Sequence, residues 1–355
     1  MIFSYYTILN NVLPERVLLK KLMFVLIAVS LFSIAEAKNP LRFSNDAWPP
    51  FIIKGSEQGT AEMLVCKALG RSGWPCTVEV KEWETVLNEA RIGAIDGIAA
   101  AWRDPERETY LLFSEPYLTN RIVPVVAGKN PVDIKSIEDL AELRVAVVSD
   151  YAYGDEIMTM ASKFEFIQAR NSSDAVKLVL NGTADTALID ELVARDQEYR
   201  FPMGELVILD TVLAFRDLHL AVSLRHPLAA VIIDDFQRAY KLMLADGTVN
   251  EILDVDWLAT DFGQSGKVDV VMRSGVSLDD LSNPTADGSV YALEDSEYQI
   301  MRQRNFDPSR TNYQVEGKSY SSLQSAMDEV FGKDAVCKHN NFTSTLDCTD
   351  LFKRR

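Results

Sequence analysis

Arg107 is the first residue that could carry chemistry. It lies in DPERETYLLFSEPY (Asp104–Tyr117), inside an acidic cluster and just ahead of an apolar, aromatic stretch. The chain has 355 residues and a formal net charge of −16. In such a chain this guanidinium is either a solvated charge paired with Glu106 or Glu108, or a receptor for an incoming anionic group. A planar guanidinium can give two parallel hydrogen bonds to a carboxylate, which fixes orientation as well as charge. Asp190 is the second candidate. It ends the apolar run TALID and precedes ELVARDQEY, where a carboxylate can cap a helix. Covalent and metal chemistry find no foothold. There is no GxSxG, HExxH or P-loop, and neither cysteine pair has CxxC spacing. His219, His226 and His339 lie far apart, so no metal site and no cofactor are expected.

The elements that must position these residues follow from periodicity. LRFSND alternates like a strand, and the two prolines of WPPF (Trp48–Phe51) break it. TAEMLVCKAL has helical apolar spacing, TVEVKEW (Thr77–Trp83) reads as a strand, and ETVLNEARIG reads as a helix stopped by Gly93. IDGIAAAW is a short apolar strand. The rhythm repeats with LRVAVVSD, YGDEIMTMAS, FEFIQA, SSDAVKLVLNG and TALID. Two α/β units are expected, with a boundary near Arg121 to Gly128. LHLAVSL is a further strand, followed by a long amphipathic helix that turns at Gly247. Past Trp257 the chain becomes rich in Ser, Asp and Asn. SYSSLQSAMDEVFG is there a serine-capped helix ending at Gly332, within a small appended module.

Composition and the N-terminus set the compartment. At 47% hydrophobic the chain can bury real cores, and its negative balance argues against nucleic acid as a partner. Lys20 and Lys21 precede the apolar run Leu22–Ile34, and Ala35-Glu36-Ala37 places small residues where a signal peptidase reads. Residues 1–37 are expected to be a cleavable signal peptide, with the true start nearer Val17. A membrane anchor is the alternative, although the run is short for a bilayer. In an oxidising compartment two local bridges, Cys66–Cys76 and Cys337–Cys348, are the simplest of three pairings. Two buried thiol pairs are the alternative.

In this order, WPPF after the first strand, Gly59 opening a helix, GAIDGIAAA, ERETYLLFSEPY, NGTADTALID and LADGTVNEILDVDW resemble the bacterial extracellular solute-binding proteins of family 3. These are periplasmic proteins that serve polar amino-acid importers. The resemblance covers Leu41 to Trp257. It implies an α/β, two-lobed periplasmic-binding-protein fold of type II, here with a small C-terminal α+β extension. Lobe 1 would be residues 38–122 and 214–262, lobe 2 residues 123–213, and the extension 263–355. A ligand would lie in the cleft, and closure would be hinged.

The resemblance also assigns roles. An arginine six residues before the phenylalanine of FSEPY holds the ligand's α-carboxylate, and Arg107 stands six before Phe113. The aspartate closing the GTADTALID segment, Asp190, would take the ammonium from the opposite lobe. Trp48 matches an aromatic wall against the ligand side chain, and Asn45 stands at the cleft rim. The chain also departs from the family. Trp102 replaces the usual threonine or serine five residues before the arginine, which leaves the backbone N–H near Ala100 for the carboxylate. SDYAYG replaces a glycine-rich turn, so Tyr151 and Tyr153 are expected to line the cleft.

Dehydratases of the same fold carry a catalytic glutamate three residues after the aspartate, and Val193 stands there. Glu191 is offset by about 200° on a helix, so a binder rather than an enzyme is expected. The implied partners are a small zwitterion and an inner-membrane ABC permease, with the protein periplasmic and monomeric. A sensing protein acting through a membrane receptor is the alternative.

Overall fold

The computed structural model describes residues 38–160, 163, 165–260, 268–275, 290–293, 311–315 and 317–331. Residues 1–37, where a signal peptide is expected, and Gly332, Cys337 and Cys348 lie outside these residues. The unit that begins at Pro40 starts with three strands: β1 (Leu41–Asn45), β2 (Cys76–Val80) and β3 (Gly97–Trp102). All are parallel, with β1 in the centre. Helix α1 (Thr60–Arg71) links β1 to β2, and α2 (Trp83–Ile92) links β2 to β3. Every residue of β3 is buried, as a strand covered on both faces should be. Gly93 ends α2 in the left-handed region (φ 76°), where a side chain would be strained.

Two long strands carry the chain between lobes. After β4 (Leu111–Phe113), β5 (Leu118–Ala127) is buried along all ten residues. Its first half pairs antiparallel with β10 (Ala214–Ser223), and its second half with β8 (Thr186–Asp190). The second lobe comprises β6 (Arg144–Val148), α3 (Asp155–Met158), β7 (Glu165–Ala169), α4 (Ser172–Leu180), β8, α5 (Glu191–Glu198) and β9 (Leu206–Ile208). The sheet runs β2-β1-β3-β10-β5-β8-β6-β7 without a break, so the crossing strands β5 and β10 join the lobes. The stretch from Arg121 to Gly128, read as a boundary in the sequence, is mostly this crossing strand.

The chain then returns to lobe 1 through α6 (Ala229–Ala245) and α7 (Thr248–Leu253). The appended module follows. Strands β11 (Trp257–Thr260), β12 (Val268–Met272), β13 (Val290–Ala292), β14 (Thr311–Val315) and β15 (Lys318–Tyr320) form a second sheet, with α8 (Leu323–Phe331) against β14 and β15. This sheet already includes β11, so it begins before residue 263. It is tied to lobe 1 by the Asn250 amide donating to the Val271 carbonyl at 2.9 Å. It has its own small core of Trp257, Val270, Met272, Tyr313 and Met327.

One local feature sets the site. The WPPF turn, with a cis Pro49–Pro50 bond, offers the Pro50 and Phe51 carbonyls to the first N–H groups of α1. These groups lack intrahelical partners. Gly59 makes the approach possible, since a Cβ there would lie 2.0 Å from the Phe51 carbonyl oxygen. Trp48 is thereby held over the end of β1. Cys66 on α1 is bonded to Cys76 at the start of β2, with 5.4 Å between their Cα atoms.

Candidate ligand-binding site

The C-terminal ends of β1 and β3 meet the N-terminus of α2, the place where open α/β sheets bind ligands. Asp46, Trp48, Trp83, Ala100, Ala101, Trp102, Arg107 and Tyr151 line a pocket there. Arg107 opens a short 3-10 turn (Arg107–Thr109) after β3 and is 4% exposed. Asp104 holds it from below, accepting from the Arg107 N–H at 3.0 Å and pairing with Nε at 3.2 Å. Nη1 donates to the Trp102 carbonyl at 2.6 Å, and Nη2 donates across the cleft to the Asp150 carbonyl at 2.5 Å. Trp83 Nε1 donates to that same carbonyl at 3.2 Å, and the guanidinium carbon stands 5.1 Å from the Trp83 ring centroid. Two donors of lobe 1 thus converge on one oxygen. Burial lowers the Arg107 pKa despite the opposing pull of Asp104.

Asp46 supplies the negative charge in this pocket. It is 6% exposed and accepts the Tyr151 phenol at 2.7 Å. Burial pushes its pKa up to about 6, against the lowering effect of that hydrogen bond. The Tyr151 phenol is itself pushed well above its ordinary value, first by burial and then by the Asp46 charge. The Tyr151 ring meets Trp48, Trp83 and Trp102 edge-on, at centroid distances of 6.0, 5.9 and 5.3 Å. Perpendicular contacts at such distances are favourable for aromatic pairs. The remaining cavity is about 20 Å³, space for about one water.

The residues singled out in the sequence are placed as follows. Trp48, Trp102, Ala100, Arg107 and Tyr151 line this pocket. Asn45 does not reach it with a spare group: its amide donates to the Ala100 carbonyl at 2.8 Å and accepts the Ala100 N–H at 2.9 Å. The Ala100 N–H is therefore taken by Asn45 rather than offered to a ligand. Tyr153 is buried in lobe 2, its phenol accepting from the Val148 N–H and donating to the Leu188 carbonyl. Burial pushes its pKa up as well.

Asp190 is not among the lining residues. Its Oδ1 caps α5, accepting from the Leu192 and Val193 N–H groups at 2.9 and 3.1 Å, and its Oδ2 accepts from the Arg121 N–H at 3.3 Å. Burial pushes its pKa up to about 7, opposed by the bonds from the Val193 N–H, the Asn120 side chain and the Leu192 N–H. Asn120 also accepts from Trp102 Nε1 at 2.7 Å, so a buried chain links the pocket to the α5 cap through β5. Val193 is fully buried in the first turn of α5.

Asp46 and Trp83 were missed as site residues. Asp46 reads as an ordinary turn residue after a strand. TVEVKEW reads as a strand that runs on to Trp83, but β2 stops at Val80 and Trp83 opens α2. The signal that could have revealed Trp83 is Glu82, a charge breaking the alternation at the helix entry.

The profile of the bacterial extracellular solute-binding proteins, family 3, matches residues 42–260. The chain belongs to that family. Among curated proteins, the virulence sensor protein BvgS of Bordetella pertussis (strain Tohama I) is 28% identical over 125 residues, 35% of this chain and 10% of that protein. The chain thus matches about a tenth of the length of that relative. Among solved structures, an ancestral arginine-binding protein bound to arginine is 23% identical, with a TM-score of 0.55 over 62% of this chain and 98% of its own. A histidine kinase sensor domain similar to periplasmic binding proteins is 16% identical, with a TM-score of 0.56 over 62% and 96%. The ancestral amino-acid-binding protein AncCDT-1, a precursor of cyclohexadienyl dehydratase, is 25% identical, with a TM-score of 0.52 over 61% and 94%. These likenesses agree on the two-lobed fold. The protein is a solute-binding or sensor domain of an extracellular family.

Proposed function

We propose that this family member is an exported binder that closes over an amino acid or a related small zwitterion and passes it to an inner-membrane ABC importer. The lobes are residues 38–122 with 214–256 and residues 123–213, and the appended module starts with β11. One observation carries the reading: Arg107 Nη2 and Trp83 Nε1 aim at a single oxygen beside the Asp46 carboxylate. When the lobes part, the Asp150 carbonyl leaves with lobe 2. A solute carboxylate can then take its place, with the ammonium against Asp46 and the side chain against Trp48 and Trp102. Both charged anchors then belong to lobe 1, and Asp190 serves the α5 cap. The same reading makes the protein a binder and not a dehydratase, because Val193 offers no proton and Glu191 is paired with Arg195. A thermal-shift screen of amino acids, oligoamines and small carboxylates identifies the solute, since a ligand bound only by the folded state raises Tm. Arg107→Ala should then weaken binding at least about 30-fold, because breaking a buried charge pair costs roughly 2–5 kcal/mol. Unchanged affinity by calorimetry removes Arg107 from the site.

Sensing through a membrane receptor is the second reading, and one observation favours it. Tyr291 of the appended module packs against the Arg121 guanidinium on β5, 5.6 Å from ring centroid to guanidinium carbon. A module touching a crossing strand is placed to respond to lobe closure. Uptake of the identified solute by cells with and without the protein separates the two readings.

A further inference from the structure

We infer that the Asp150–Tyr151 unit of lobe 2 is a tethered occupant of the ligand site, and that the same site, once freed, also accepts an N-acylated arylalkylamine of the tyrosyl type. The inference rests on the pocket of Arg107, Trp83 and Asp46 being the ligand site.

The structure holds both ends of such a molecule. The Asp150 carbonyl is the acyl group on the Tyr151 nitrogen, and it accepts from Arg107 Nη2 at 2.5 Å and from Trp83 Nε1 at 3.2 Å. The Tyr151 ring stands perpendicular (77–78°) to the indoles of Trp48, Trp83 and Trp102. Its phenol donates to Asp46 at 2.7 Å. Carbonyl, aryl ring and terminal donor are thus each matched by a group of lobe 1, and the cavity left over is about 20 Å³. The backbone bends to deliver this fit. Asp150 has φ 59°, the left-handed region that non-glycine residues seldom enter and that Asp tolerates better than most. A wall residue that merely closes a cleft needs neither a doubly accepted carbonyl nor a terminal hydrogen bond to a buried acid.

A tethered occupant lowers the apparent affinity of a free ligand by the fraction of molecules in which the site is filled. Freeing the site should therefore raise affinity without adding any contact. The probe is N-acetyl-L-tyrosinamide, which reproduces the acyl carbonyl, the ring and the phenol. Calorimetry on the full chain should give at least tenfold tighter binding to Tyr151→Ala than to the unaltered protein. Tyr151→Phe, which keeps the ring and loses the bond to Asp46, should fall between them. N-acetyl-L-phenylalaninamide should bind Tyr151→Ala more weakly than the tyrosyl probe, because it leaves Asp46 unpaired. Should Tyr151→Ala fail to fold, the Phe variant decides alone: no gain in affinity for the tyrosyl probe overturns the inference. Equal binding of the tyrosyl probe to all three proteins, or to none of them, also overturns it. If an amino acid still binds the unaltered protein and loses affinity in Arg107→Ala, the proposed function stands while this inference falls. If neither amino acid nor probe depends on Arg107, both fall together.

Discussion

The Tyr151 phenol donates to the Asp46 carboxylate at 2.7 Å, which joins the loop after β6 in lobe 2 to the end of β1 in lobe 1. Together with the Arg107–Asp150 contact it forms a two-point latch across the cleft. The acceptor in one of those points is a carboxylate whose burial opposes its charge. Closure therefore depends on proton concentration.

Asp46 has a folded pKa of about 6, against 3.8 when unperturbed. Asp190 is raised to about 7. A raised carboxyl binds more protons in the folded state, so its contribution is greatest below the unfolded value and is lost as pH rises through the folded value. Stability should thus fall between about pH 4 and 7 on account of these two groups. Buried His219, whose pKa is lowered mainly by desolvation, works in the opposite direction as pH falls through its ordinary value. The difference between unaltered protein and Asp46→Asn isolates one carboxyl. Asparagine still accepts from Tyr151 and has no charge to bury. The variant should have a flatter dependence of Tm on pH, and at pH 8 it should be the more stable protein by an amount on the order of 1–3 kcal/mol. Parallel pH profiles for the two proteins would falsify the burial of Asp46 charge.

Much of the fold was legible in the sequence, and the contacts of the site were legible only in part. The alternation of LRFSND, the run IDGIAAAW and the Gly93 stop are local signals, and β1, β3 and the end of α2 follow them. Arg107 could be singled out because its distance from FSEPY is a chain-local property. The partners of Arg107 could not. Asp150 is 43 residues away, and Tyr151 is 105 residues from Asp46. Which lobe 2 residue crosses a cleft depends on how two lobes close, and no periodicity encodes that. Asp190 posed a different difficulty. An acid between a buried strand and a helix satisfies the pattern for a cap and for a ligand anchor alike, and only the direction of its oxygens separates the two.

Gly59→Ala should be among the most damaging single substitutions outside the core. Its φ of −77° is open to any residue, so the cost is steric. The new Cβ would lie 2.0 Å from the Phe51 carbonyl oxygen and 2.7 Å from the Ile52 nitrogen. Neither is the end of a flexible side chain that could move aside. The WPPF turn must shift, and Trp48 with it. A loss of roughly 1–3 kcal/mol or more is expected, read by urea denaturation, together with weaker binding of whatever solute the screen identifies. A Gly59→Ala protein with unaltered stability would mean that the turn does not pack on α1 as described.

Reduction of the Cys66–Cys76 bridge should destabilise lobe 1. The two residues are 10 apart in sequence, and closing a loop of that size removes about 2.5–3 kcal/mol of chain entropy from the unfolded state. Cys66 lies on α1 and Cys76 begins β2, so the bridge ties the first helix to the edge of the sheet. Cys66→Ala with Cys76→Ala should lower the urea midpoint. Adding a reductant should then produce little further change in the double variant, apart from any effect of the second cysteine pair.

Asp190 offers the sharpest separation between a structural and a binding role. As a cap, its Oδ1 serves the Leu192 and Val193 N–H groups, and its Oδ2 the Arg121 N–H. Asparagine can still cap α5 through its carbonyl oxygen but turns an NH2 toward the Arg121 N–H, so Asp190→Asn should lose only part of the stability, on the order of 1 kcal/mol, and keep near-normal affinity for the solute. Asp190→Ala removes every acceptor and leaves buried N–H groups unpaired, at a cost of about 1–3 kcal/mol. That loss should appear in denaturation, while affinity measured well below the melting temperature changes far less. An ammonium anchor predicts the opposite for Asp190→Asn, because losing a paired charge at a buried site costs roughly 2–5 kcal/mol of binding. Calorimetry on Asp190→Asn therefore distinguishes the two: a fold-intact protein with affinity reduced 30-fold or more would return the ammonium to Asp190 and take it from Asp46.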